Sequence, residues 1–169
     1  MIKQNPLPKD AVRYIDRTRR LYSSQPAYRW VVNDRETDPP AWAPLEGPLS
    51  EKRVALIASG GVHCADQEPF HFRNDVSHRE IPFGTSQSEQ RVAHFGYDTS
   101  DAKRDAACVL PLQALKRMAE AGEIAEAIDP ALSFMGGVYS PRLVREEIAT
   151  RFRDIVLHMQ ADLALLVPV

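Results

Sequence analysis

Residues 53–63 read Arg-Val-Ala-Leu-Ile-Ala-Ser-Gly-Gly-Val-His, and the fold turns on this stretch. Val54 to Ala58 is an apolar run without a polar interruption. A strand with one wet face alternates, whereas a strand covered on both faces does not. The run therefore predicts a strand inside a parallel sheet. Gly60 and Gly61 permit a sharp turn at its carboxyl end. In open α/β sheets ligands bind at that end, so topology brings His63 near a candidate site. A structural histidine is an equally good reading of His63.

Two further apolar runs follow, Ala131 to Met135 before Gly136-Gly137, and Leu163 to Val167. Between them Ser140 suits an N-cap and Pro141 the first helical position. Val144, Ile148, Phe152, Ile155 and Met159 then fall on one helical stripe. Earlier, Thr99, Ser100 or Asp101 starts a short helix that stops before Pro111. Pro111 opens the next helix, with Leu112, Leu115, Met118 and Ala119 as its stripe and Gly122 as its terminator. His78 to Pro82 and Arg91 to Phe95 read as a strand pair or flap joined by residues 83–90. Strand, helix, strand, helix, strand predicts an α/β, three-layer domain with a mainly parallel sheet and right-handed crossovers. We expect this domain to occupy residues 49–169.

Residues 1–48 read differently. Asp10 caps an expected helix from Ala11 to Tyr22 that carries Arg13, Arg17 and Arg20 on one face. A surface charge run of this kind is ordinarily a solvated face. Pro26, Pro39, Pro40, Pro44 and Pro48 then exclude regular helix, while Tyr28, Trp30 and Trp42 are interleaved with them. This segment predicts an extended arm held by its aromatics against its own domain or a partner chain, and so a homodimer.

The whole chain of 169 residues has a formal net charge of -2, which gives no general pull toward nucleic acid. No apolar run approaches the roughly 20 residues needed to span a bilayer. The amino terminus has no apolar signal core. Cys64 and Cys108 form no disulfide framework, which suggests a reducing cytoplasm and, for each, a small buried side chain.

The chemistry-bearing residues concentrate between Gly60 and Asp105. Backbone N–H groups at either Gly pair could hold an anion, although a tight turn explains them more simply. His63, Cys64, His71, His78 and His94 lack metal-ligand spacing, so no metal is expected. Alternation along Ser77-His78-Arg79-Glu80 sends His78 and Glu80 to one face and Arg79 to the other. Arg79 suits a substrate carboxylate or a structural pairing with Asp98 or Asp101. His94, Tyr97, Asp98, Asp101 and Asp105 form a polar cluster on a loop entering a helix. A carboxylate there could orient the imidazole for acid–base work.

Taken in order, Gly60-Gly61-Val62-His63, residues 77–82 (SHREIP), residues 94–105 (HFGYDTSDAKRD), Leu110-Pro111 and residues 133–137 (SFMGG) resemble the selenoprotein B family of glycine, sarcosine, betaine and D-proline reductases. The resemblance covers about Leu45 to Val169. It implies a bacterial oxidoreductase that cleaves a C–N bond of a small amino acid or betaine. It also implies a selenocysteine or cysteine after the strand at Leu163–Val167, with a second cysteine three positions on. An ionised selenol or thiol is the reactive form in such chemistry. The chain departs from the family at Ala107, and it reaches Val169 without the redox pair. We therefore expect a form truncated at a UGA codon, with no bound cofactor and with a second reductase subunit as a possible partner. The resemblance makes His94 and Asp98 the candidate catalytic residues. Gly60, Gly61, His63, Arg79 and Tyr97 are the candidate substrate-binding residues. The rival readings are a non-catalytic ligand-binding or assembly subunit, and a metal-binding protein.

Overall fold

The apolar run at Val54 becomes β1 (Arg53–Ala58), and from Val54 onward no residue of it is more than 7% exposed. The computed structural model describes residues 43–169; the helix expected at 11–22 and the Trp30 and Trp42 arm lie outside the described residues. Residues Leu45–Val169 form one compact unit. After β1 come β2 (Val62–Cys64), β3 (His78–Ile81) and β4 (Gln90–Val92). Helices α1 (Ser100–Arg104) and α2 (Leu112–Glu120) follow, then β5 (Glu126–Ala127) and β6 (Ala131–Phe134). A long helix, α3, runs through Pro141–Leu143, a π-helical stretch Val144–Ala149 and Thr150–His158, and β7 (Leu163–Val167) comes last.

The sheet is mainly parallel and centred on β1. β7 pairs with β1 from Val54 to Ala58. β5 and β6 share the opposite edge, β5 against Arg53 and Val54, β6 against Ile57 and Ala58. The three apolar runs are thus parallel neighbours, as their lack of alternation predicts. β3 adds an antiparallel strand beyond β6.

The flap expectation needs correcting. His78–Pro82 and Arg91–Phe95 do not pair with each other. β3 joins the main sheet, where Ile81 is fully buried. β4 instead pairs antiparallel with β2 as a separate two-stranded ribbon. The cause is local. Thr85 N–H closes a turn on the Pro82 carbonyl, and a capping box joins Ser86 to Glu89. Residues 82–89 therefore redirect the chain instead of returning it as a hairpin.

Register sorts the core into two layers around the sheet. Val54, Leu56 and Ala58 face one cluster with Leu112, Leu115 and Ile124. Ala55 and Ile57 face the other side, the side of Leu132 and Phe134. There Phe152 of α3 meets the Phe134 ring at 5.2 Å and the His78 ring at 5.8 Å. The Ser140 hydroxyl caps α3 by accepting from Leu143 N–H. At the end of α2, Glu123 N–H reaches back to the Met118 carbonyl around Gly122, the expected terminator.

Candidate functional site

The carboxyl ends of β1, β6 and β7 are tied together at Ser59. Its N–H donates to the Val167 carbonyl (3.1 Å), and its carbonyl accepts from Gly136 N–H (2.9 Å). Its hydroxyl accepts from Val169 N–H (3.0 Å). The next two residues must be glycine. A Cβ at Gly60 would lie 2.8 Å from Val109 Cβ and 3.3 Å from Val169 Cγ2. Gly61 has φ +71°, and a Cβ there would sit 2.3 Å from the Ala93 carbonyl oxygen. That close approach brings the loop after β4 onto the strand ends, where Ala93 N–H donates to the Gly61 carbonyl (2.9 Å).

His94 and Tyr97 enter on this loop. Their rings lie 4.8 Å apart, and the Tyr97 hydroxyl donates to the Gly60 carbonyl (2.9 Å). Burial, then the nearby Cys108, pushes the phenol up to about 12. His94 is 9% exposed. Its Nδ1 accepts from Gly96 N–H (2.8 Å), while its buried Nε2 has no hydrogen-bond partner among the described residues. Burial holds the imidazole below its ordinary value and so favours the neutral ring. With Nδ1 accepting, the proton of that ring sits on Nε2.

Asp98 is not joined to His94. Its carboxylate accepts from the Ser100 N–H and hydroxyl (3.0 and 2.6 Å) at the entry to α1. Those bonds, ahead of the Lys103 charge, hold it below the usual carboxylate range. Asp101 pairs with Arg104, and Asp105 accepts from Ala107 N–H. The acids of this loop close local turns and do not orient the imidazole.

His63 and Arg79 meet elsewhere, at Phe70. The His63 ring lies edge-on to Phe70 at 6.4 Å, and the Arg79 guanidinium lies over it at 4.4 Å. Arg79 pairs with neither Asp98 nor Asp101. It donates instead to the Glu68 carbonyl, the His78 carbonyl and the Ser77 hydroxyl. That hydroxyl is set by Asp75, a buried carboxylate which also accepts from the His71 and Ser77 N–H groups. Gly60, Gly61, His94 and Tyr97 thus form one cluster, and His63 with Arg79 another. No hydrogen bond or ring contact joins the two among the described residues.

Sequence reasoning missed Ser59, Phe70 and Asp75. A hydroxyl residue between an apolar run and a Gly pair was the available signal for Ser59. Asp75-Val76-Ser77 is a pattern that closes an Asx turn. Cys64 is buried as expected, but Cys108 is exposed, because Ala106 supplies the inward side chain of that turn. Neither cysteine is in a disulfide. Among the described residues no group of three or more His, Cys, Asp or Glu side chains could hold a metal. Nor is any described helix long and apolar enough to cross a membrane.

The model of the glycine/sarcosine/betaine reductase selenoprotein B family matches residues 33–153. The chain belongs to this family. It is also 33% identical over 111 residues to the D-proline reductase subunit gamma of Acetoanaerobium sticklandii. That match takes in 66% of this selenoprotein B-family chain and 46% of the relative, so the chain spans about half the relative's length. No solved structure matches.

Proposed function

We propose that this domain serves a reductase that cleaves a C–N bond of a small amino acid or betaine. The substrate would sit where β1, β6 and β7 end against His94 and Tyr97. Family membership supports the reaction class, and the unpartnered Nε2 of His94 carries the location. A buried N–H without a partner costs about 1–3 kcal/mol, so a fold that keeps one has use for an arriving acceptor. A substrate carboxylate, or the amine nitrogen as it departs, is such a group. In this reading Nε2–H supplies the proton that the nitrogen takes as the C–N bond breaks. Tyr97 and the Gly60-Gly61 turn shape the wall, and Asp98 holds the loop through Ser100. Arg79 and His63 belong to the second cluster, around Phe70, and take no part in this step.

An ionised selenol or thiol would supply the soft nucleophile in this chemistry. The strand ends suit such a group. A residue attached after Val169 would start beside Ser59 and Gly60. We place the chalcogen there, in a reducing cytoplasm, together with a second reductase subunit, since the relative is named as a subunit.

Calorimetric titration with D-proline, glycine, sarcosine and betaine tests the substrate class. At least one should bind the chain, and His94→Ala should abolish most of that binding. A chain that binds none of them, or binds equally well with His94→Ala, overturns the reading. Sequencing the gene past the Val169 codon tests the chalcogen. A UGA or cysteine codon in frame is expected, and a UAA or UAG stop there would leave a non-catalytic binding subunit.

A further inference from the structure

A large open groove lies away from His94, on the face of the β2–β4 ribbon that carries His63 and Arg91. It has a volume of about 1110 Å³ and is lined by His63, Pro69, Gln87, Arg91, Lys103 and Arg104 among others. Its chemistry follows from register. His63 and Arg91 are cross-strand partners and project from one ribbon face, while Val62 and Val92 project into the core from the other. Lys103 and Arg104 are the last-turn residues of α1 and bring two more cations to the same groove.

No carboxylate lines this groove. Arg91 uses one guanidinium nitrogen on the Ser88 and Gln90 carbonyls, and Arg104 uses one on Asp101. Lys103 makes no ion pair among the described residues. At the base lies His63, only 6% exposed, with Nδ1 on the Cys64 carbonyl (2.8 Å). Cations on two separate elements and an imidazole edge thus line one concavity whose own lining holds no carboxylate, although Asp101 pairs with Arg104 and Asp98 feels the Lys103 charge from outside it.

We propose that this groove docks an acidic polypeptide segment of a partner protein. Charge complementarity selects an anion. Two observations favour a polypeptide over a compact anion such as phosphate. The groove, at about 1110 Å³, is larger than the ~300–1,000 Å³ of ordinary small-ligand pockets. The cations stand on two elements, Arg91 on β4 and Lys103 and Arg104 on α1. A strand of carboxylates at successive positions can meet Arg91, Lys103 and Arg104 in turn. The groove is separate from the cluster at His94, and the proposal does not depend on the reductase reading.

Fluorescence anisotropy of fluorescein-labelled deca-glutamate, titrated with the 169-residue chain at low salt, tests this. Saturable binding that fades as sodium chloride is added is expected. Arg91→Glu combined with Lys103→Glu should weaken it at least about tenfold. All the reversed side chains are exposed, so the fold should survive, and an unchanged thermal melt checks that. Arg153→Glu, on α3 and outside the groove, should leave binding as it was. The absence of binding, or an equal loss in Arg153→Glu, would overturn the proposal. So would displacement of the peptide by inorganic phosphate beyond that caused by sodium chloride of equal ionic strength, since a small-anion pocket would then be the better description.

Discussion

β1 and β7 are adjacent parallel strands of nearly equal apolarity, yet they live in different surroundings. Along β1, Val54 to Ala58 are all buried. Along β7, Leu163, Leu165 and Leu166 are 36%, 40% and 65% exposed, although each is paired in register with a buried β1 residue. β1 has partners on both edges and a layer on each face. Among the described residues β7 pairs with β1 alone, and Leu157 of α3 is itself 68% exposed. An apolar run therefore announces a strand and a wish for cover. Whether the cover exists depends on layers contributed from elsewhere in the chain or beyond it.

The sharpest way to break this contrast is to truncate matched residues. Leu56→Ala, at a fully buried position, should lose about 3 kcal/mol in urea unfolding. Leu166→Ala, 65% exposed, should stay within about 0.5 kcal/mol. A large loss for Leu166→Ala would mean that β7 is covered in solution, by a second copy or another chain.

The next test concerns the turn that β1 runs into. Gly61→Ala combines a left-handed backbone with a Cβ 2.3 Å from a carbonyl oxygen. It should lose about 2 kcal/mol. Tyr97→Phe, which removes the bond to the Gly60 carbonyl, should lose about 1 kcal/mol. The ultraviolet difference between wild type and Tyr97→Phe should show a phenol that ionises near 12, its rise caused by burial and then by Cys108.

The smallest effect is in pH. His94 and His78 both lie below their ordinary 6.5 in the fold, His94 by burial, His78 by burial and then Arg151, against the opposing pull of Glu80. Above 6.5 folded and unfolded chains are alike neutral at these rings, so stability is full. As pH falls below that value the unfolded chain takes protons that the fold refuses, and stability drops until the native values are reached. His94→Gln should flatten part of that decline in the urea midpoint measured from pH 8 to pH 5. An unchanged slope would argue that His94 is open to water.

The sheet was legible in the sequence because three apolar runs, broken only by Ser133, do not alternate as strands with one wet face would, even though β7 turns out to lack cover. The termini of α2 and α3 were legible because Gly122 and Ser140 act within a few residues. The pairing of β4 was not legible. Gln90–Val92 is too short and too polar to declare its partner, and the turn at Pro82 and the Ser86–Glu89 box decided it. The site was half legible. Gly60, Gly61, His94 and Tyr97 assemble through a backbone approach that only a glycine allows, which the Gly pair signalled. Arg79 looked free for a ligand because sequence does not show backbone carbonyls, and three side-chain bonds to Glu68, Ser77 and His78 engage it. Asp98 looked like a partner for His94, but a nearer hydroxyl, at Ser100, claimed it first.

The Val169–Ser59 bond has a practical consequence for anyone who makes this protein. Val169 N–H rests on the Ser59 hydroxyl, and its side chain packs with Val109 against Gly60. Whatever is fused after Val169 begins inside the ring of strand ends. An affinity tag fused after Val169 would therefore sit at the proposed substrate site, and its removal by a protease would leave a scar beside the Gly60-Gly61 turn.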